Sequence, residues 1–143
     1  MIPDKVVGYM KAENFYGPRE DKEDVLNVLD SLNIDHSSDF AQYYIETYGL
    51  LISPKPIADL LDIDMIASQI SYILERYDLP SEFIALTSDE SEGMYLYNAK
   101  NQKVYDFELA HYTDFVERKI EPRWETFNEF LLWFVDEQNL DDV

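Results

Sequence analysis

An α+β fold is predicted for this chain: an antiparallel sheet with N-terminal helices and one C-terminal helix packed on it. Two observations carry the prediction. Apolar residues recur at helical spacing through the first half of the chain and again near its end. Between them the pattern changes to a period of two, with β-branched and aromatic residues alternating with polar ones. Helices first, clustered strands next and a closing helix differ from the βαβ alternation of a parallel sheet. This order places the helices on one face of the sheet.

The elements follow in turn. Residues 21–33, DKEDVLNVLDSLN, set Val25, Val28, Leu29 and Leu32 at helical spacing with acids opposite. A second helix starts at the cap Ser38, carries Phe40, Tyr43, Tyr44 and Tyr48 as its stripe and ends at Gly49. LLIS, 50–53, reads as a short strand before two prolines. Ile66, Ile70, Ile73, Leu74 and Tyr77 mark a third helix, capped by Asp64 and stopped by the DLP at 78–80. FIALT (83–87), GMYLYN (93–98) and KVYDF (103–107) read as strands. AKNQ joins the last two as an antiparallel hairpin. Residues 108–123 fit a further strand or a short helix. Thr126 and Glu129 form a capping box, and Phe127, Phe130, Leu131 and Phe134 then repeat at helical spacing. The acidic tail is 136–143.

The 143 residues suit one domain, 1–143, able to bury about two-thirds of its unfolded surface without metal or disulfide. There is no cysteine, which excludes thiol chemistry and zinc-thiolate sites. The first residues lack the apolar core of a secretion signal, and no apolar run approaches the roughly 20 residues of a membrane span. A cytoplasmic protein is expected. Thirty Asp and Glu against eleven Lys and Arg give a formal charge of -19. Such a charge often accompanies disorder, but 15% aromatic and 46% hydrophobic residues supply a core. A folded domain this acidic repels nucleic acid and anionic membrane and attracts basic partners. Solubility alone is the plainer reading of the same charge.

Motifs for chemistry are sparse. His36 and His111 form no H-x-x-x-H or H-x-H pair, and both read as loop histidines rather than metal ligands. Calcium loops starting at Asp89 or Asp62 fail, because Met94 and Ala67 stand where glycine is needed. There is no Walker lysine and no G-x-G-x-x-G. With thirty acids, a close carboxylate pair carries no information about glycoside hydrolysis. No enzyme activity, cofactor or metal is expected.

Several pieces then fall into a pattern. The helix ending in Tyr48-Gly49 and the Leu79-Pro80 before the strand FIAL are two of them. The others are the acidic turn with Gly93, the hairpin with its NAKNQ connection, and the closing helix with Thr126-Phe127 and Phe130-Leu131. Over residues 37–135 the chain resembles the SUKH superfamily, which includes bacterial toxin-immunity proteins and a yeast regulator of cell-wall synthesis. The first twenty residues lie outside the resemblance. It implies helices packed on one antiparallel sheet and no catalytic residues. It also implies a cytoplasmic immunity protein that binds and neutralises a cognate toxin, often a nuclease. An acidic domain could then fill the basic cleft of such a toxin as a mimic of the phosphate backbone. The alternative is a regulatory scaffold that binds an endogenous cytoplasmic protein, as the yeast member suggests. Oligomeric state stays open.

The binding surface is expected on the hairpin. The even connection Ala99–Gln102 pairs Asn98 with Lys103, Tyr97 with Val104 and Tyr95 with Asp106. Met94, Leu96, Tyr105 and Phe107 then form the apolar face against the helices. Tyr95, Tyr97, Val104 and Asp106 form the opposite face, with Asp89, Glu90 and Glu92 at its entrance. Tyrosines beside carboxylates suit contact with a basic partner. Cover from residues 108–123 is the competing reading for Tyr95 and Tyr97.

Overall fold

The computed structural model describes residues 1–17, 19–89, 93–108 and 121–138. Among them four helices precede three strands and one helix closes the chain: α1 (Asp4–Ala12), α2 (Lys22–Ser31), α3 (Asp39–Glu46), α4 (Ile63–Tyr77), β1 (Phe83–Ala85), β2 (Gly93–Asn98), β3 (Val104–Glu108) and α5 (Phe127–Phe134). The strands form an antiparallel sheet in the order β1-β2-β3. The α+β class stands. Of the segment left between strand and helix, 109–120 lies outside the described residues, while Trp124 forms an antiparallel bridge with Val104.

The hairpin register is the one an even connection dictates. Tyr95 pairs with Asp106 and Tyr97 with Val104. The Asn98 amide donates to the Lys103 carbonyl at 3.0 Å. Asn98 Oδ1 accepts from the amides of Lys100 and Asn101, which closes the turn from within.

Helices cover both faces of the sheet, not one. Phe40 of α3 and Phe127 and Phe130 of α5 lie over Tyr97 and Tyr95 on one face. Ile73 and Tyr77 of α4 join Met94, Leu96, Tyr105 and Phe107 on the other. One helix reaches both cores because α4 passes the β1 edge. Its start, Ile63 and Ile66, packs into the first core, and its end into the second. At the crossing the Gln69 amide donates to the carbonyls of Ala85 and Thr87, at 3.3 and 3.2 Å. These are polar groups that a sheet edge would otherwise leave to water.

The caps follow the sequence with two shifts. Ser38 Oγ accepts from the Ala41 amide, and Thr126 Oγ1 accepts from the Glu129 amide. Glu129 reaches back to the Glu125 amide, one residue beyond the usual capping-box partner. The cap of α4 is Asp62, not Asp64. Asp62 has an extended backbone and accepts from the Ile63 amide, while Asp64 lies in the first turn. The second expected helix stops at Glu46, because Thr47 turns extended. Tyr48 therefore falls off the stripe of α3 and is exposed.

Helix α1 has no counterpart among the expected elements. Ile2, Val6 and Met10, four residues apart, are its buried stripe, and they join the first core. After α1 the chain brings in Arg19, whose side chain is 2% exposed. Its Nη1 donates to the carbonyls of Tyr44 (3.1 Å) and Thr47 (2.8 Å) at the end of α3. Nη1 and Nη2 grip Asp62 at 2.8 and 2.7 Å, and Nε donates to Asp21 at 2.7 Å.

Gly49 lies against this cluster with φ +79°. A Cβ there would stand 2.4 Å from Asp62 Oδ1 and 2.7 Å from the Tyr44 ring. Gly49→Ala should therefore lower stability by more than about 1 kcal/mol, from backbone strain alone. Thermal denaturation checks this, and an unchanged melting temperature would contradict the packing described.

Candidate binding surface

Charge sets the terms of any surface on this molecule, and the cations are largely committed. Arg19 is buried among carboxylates. Arg123 pairs with Asp106 at 2.8 Å, Lys103 with Glu125 at 2.9 Å, Lys100 with Glu82 at 3.4 Å and Arg76 with Asp89 at 3.6 Å. Lys55 is buried, with its Nζ on the Asp136 carbonyl at 2.7 Å. It serves the C-terminal end of α5, where cations are favoured.

The hairpin site does not assemble as expected. Tyr95 is 8% exposed and Tyr97 1% exposed. Helices α3 and α5 cover them, because their alternate face is the inner face of the larger core. Tyr97 stacks on Phe40 with ring centroids 4.4 Å apart, and Tyr95 meets Trp124, Phe130 and Trp133. The two tyrosines are therefore core residues, not contacts for a partner.

The carboxylates separate. Asp106 sits on the Tyr95 side of the sheet. Burial raises its pKa from the ordinary carboxylate value, against the opposing hydrogen bond from Arg123. The Arg123 guanidinium lies 4.7 Å from the rings of both Trp124 and Trp133. Asp89 belongs with α4 instead, accepting from the hydroxyls of Tyr72 and Tyr77, each at 3.0 Å. Glu90 and Glu92 lie outside the described residues. His36 contacts Asp30 at 2.7 Å, and His111 lies outside the described residues.

A different segment stands out. Residues 47–56 alternate strictly in burial, although they form no strand: Leu51 makes a single bridge to Leu60, Gly49 takes a φ of +79° and the chain bends at 54–57. Thr47, Gly49, Leu51, Ser53 and Lys55 face inward, while Tyr48, Leu50, Ile52 and Pro56 face outward, with Pro54 half-buried between them. Apart from Leu51, the polar or small side is turned in and the apolar side out. The reason lies in the helix ends. Thr47 Oγ1 donates to the Tyr43 carbonyl, Ser53 Oγ to the Phe134 carbonyl, and Lys55 to Asp136. The last carbonyls of α3 and α5 need donors, and this segment supplies them. A period of two then forces the large apolar side chains to the surface.

Tyr48, Leu50 and Ile52 are 45%, 44% and 42% exposed. The Tyr9 hydroxyl donates to the Ile52 carbonyl, and Gly17 packs beside the Tyr48 ring, so the end of α1 and the loop after it border the strip. The Tyr9 phenol is raised, by burial first and then by the charges of Glu13 and Glu137. Glu13 follows α1 with its amide on the Tyr9 carbonyl, and Glu137 follows Asp136, which holds Lys55. The run LLIS, expected as a short strand, makes only the single bridge from Leu51 to Leu60. Its reversed facing was not legible, because that depends on helix ends distant in sequence.

No family model matches the chain, and neither the curated proteins nor the solved structures contain a match to it.

Two outcomes follow for the buried tyrosines. Tyr97→Ala should cost about 3–5 kcal/mol, the range for emptying a large aromatic site, and lower the melting temperature accordingly. A melting temperature close to that of the parent chain would return Tyr97 to the surface. The second concerns alkali. Burial pushes the Tyr97 phenol up to about 12 and raises Tyr43 and Tyr95 as well. Unfolded phenols ionise near 10.0. The fold favours the neutral forms, so this stability is complete below pH 10.0 and is lost as pH rises toward about 12. In an alkaline titration the phenolate absorbance of these residues should appear together with the loss of helical circular dichroism. Full ionisation of every tyrosine before any such loss would contradict it.

Proposed function

We propose that this chain is a non-catalytic, cytoplasmic protein that binds and neutralises a basic protein, in the manner of an immunity protein against a toxin such as a nuclease. One observation carries the reading: a formal charge of -19 on a chain with an ordered core. The engagement of Arg19, Lys55, Arg76, Lys100, Lys103 and Arg123 within the fold adds to it. A surface so charged raises the encounter rate with a basic partner and excludes nucleic acid. The resemblance to the SUKH superfamily points the same way and supplies the toxin as the class of partner. No phosphate, metal or nucleotide chemistry is part of this reading.

The scaffold alternative differs in the partner alone. Capture from the source lysate at low salt, followed by identification of the bound protein, separates the two. A basic toxin against which expression of the chain protects cells supports immunity. A housekeeping protein, with no protection, supports the scaffold. Against the identified partner the association rate should fall as salt rises, because exposed charges more than about 10 Å apart are screened at 0.1 M. A rate that stays flat from low to high salt would overturn electrostatic steering.

A further inference from the structure

The strip at 48–56 poses a physical problem. Tyr48, Leu50 and Ile52 each leave more than two-fifths of their surface in water, at alternate positions of one segment. Scattered exposed apolar residues need no explanation, but an adjacent set with a charged border marks a contact. The border here is acidic. The exposed Glu13 ends α1 one turn after Tyr9, whose hydroxyl bonds Ile52; the exposed Glu137 follows Asp136, whose carbonyl holds Lys55; and the exposed Glu46 precedes Tyr48 by two residues. Arg19, 5.8 Å from the Tyr48 ring, is already held by Asp62 and Asp21, and Lys11 lies over the Tyr16 ring.

We propose that this strip docks a basic protein segment that places an aromatic or aliphatic side chain against Tyr48, Leu50 and Ile52 and its Arg or Lys side chains over the acidic border. The proposal rests on the reading that the partner is basic, and adds where and how it binds. Apolar contact supplies the affinity at the centre, and opposite charge at the rim sets the approach. A second copy of the chain is a poor occupant, since two molecules of charge -19 would meet with like borders facing. The segment's backbone is not the attraction, because Leu51 is bridged to Leu60 and the Ile52 carbonyl is held by Tyr9.

Two short peptides of equal length test this by amide chemical shifts of the isotope-labelled chain at low salt: one alternates Arg with Trp, the other Arg with Gly. The Arg/Trp peptide should shift residues 9–17 and 46–56. Leu50→Ser and Ile52→Ser should each weaken it tenfold or more. Both positions are exposed, so circular dichroism should confirm that these variants remain folded. The Arg/Gly peptide should bind more weakly and ignore both substitutions. Arg/Trp binding that maps elsewhere, or that ignores both variants, overturns the strip while leaving the basic-partner reading intact. If neither peptide binds at low salt, both readings fall. A dimer in sedimentation that Leu50→Ser abolishes would assign the strip to a second copy and overturn the proposal.

Discussion

The side chain of Arg19 joins three helix ends. Asp21 starts α2, the carbonyls of Tyr44 and Thr47 end α3, and Asp62 caps α4, and one guanidinium bonds to all of them. Burying a charge is costly, and it is tolerated only when nearly every donor finds an acceptor. That condition is met here. Burial alone would lower the Arg19 pKa, but the hydrogen bonds it donates to Asp62 and Asp21 outweigh this and raise it. The planar fork suits this geometry: Nη1 and Nη2 grip Asp62, Nη1 also reaches the two carbonyls, and Nε takes Asp21. The helix dipoles add to the fit: a cation stands at the negative end of α3 and an anion at the positive end of α4. Gly49 lies against Asp62 and the Tyr44 ring because a side chain there would displace the acceptor of Arg19.

From this anchor the rest of the layout follows. With its start fixed to the end of α3, α4 runs from the first core past the β1 edge to the second. The sheet is then covered on both faces, and β2 is buried along nearly all its length. Any surface used for binding must lie on helix exteriors or connections, not on the sheet. The segment 47–56 follows α3 and is hydrogen-bonded to the end of α5. Its inward positions serve carbonyls at the ends of two helices, so its outward positions are apolar.

Much of this was legible in the sequence because it depends on local geometry. The hairpin register follows from the parity of a four-residue connection, and it holds at every pair from Tyr95 to Lys103. Ser38 and Thr126 cap their helices because a short side-chain oxygen beside a free amide leaves few alternatives. The placement of α4 within a few residues, and the burial of Phe127, Phe130, Leu131 and Phe134, follow from periodicity. Helix α1 was not among the expected elements, although Val6 and Met10 stand four residues apart on its buried side.

The two faces of the hairpin show where local reasoning ends. Alternation determines that Tyr95 and Tyr97 share a face, but not what lies over it. Tyrosine suits both water and a core, because a large ring carries one hydroxyl. The packing of Phe40, Phe127 and Phe130 assigned both to the core, and Asp89 and Asp106 went to opposite sides of the sheet as a result. The sequence by itself determined most elements, the caps Ser38 and Thr126, the register and the charge of -19, since each depends on neighbours in the chain or on composition. Only the tertiary structure decided which faces are buried, that Arg19 spans three helix ends, and that the segment at 47–56 turns its apolar side to water. Those outcomes depend on which distant groups need a partner, and no local pattern encodes that.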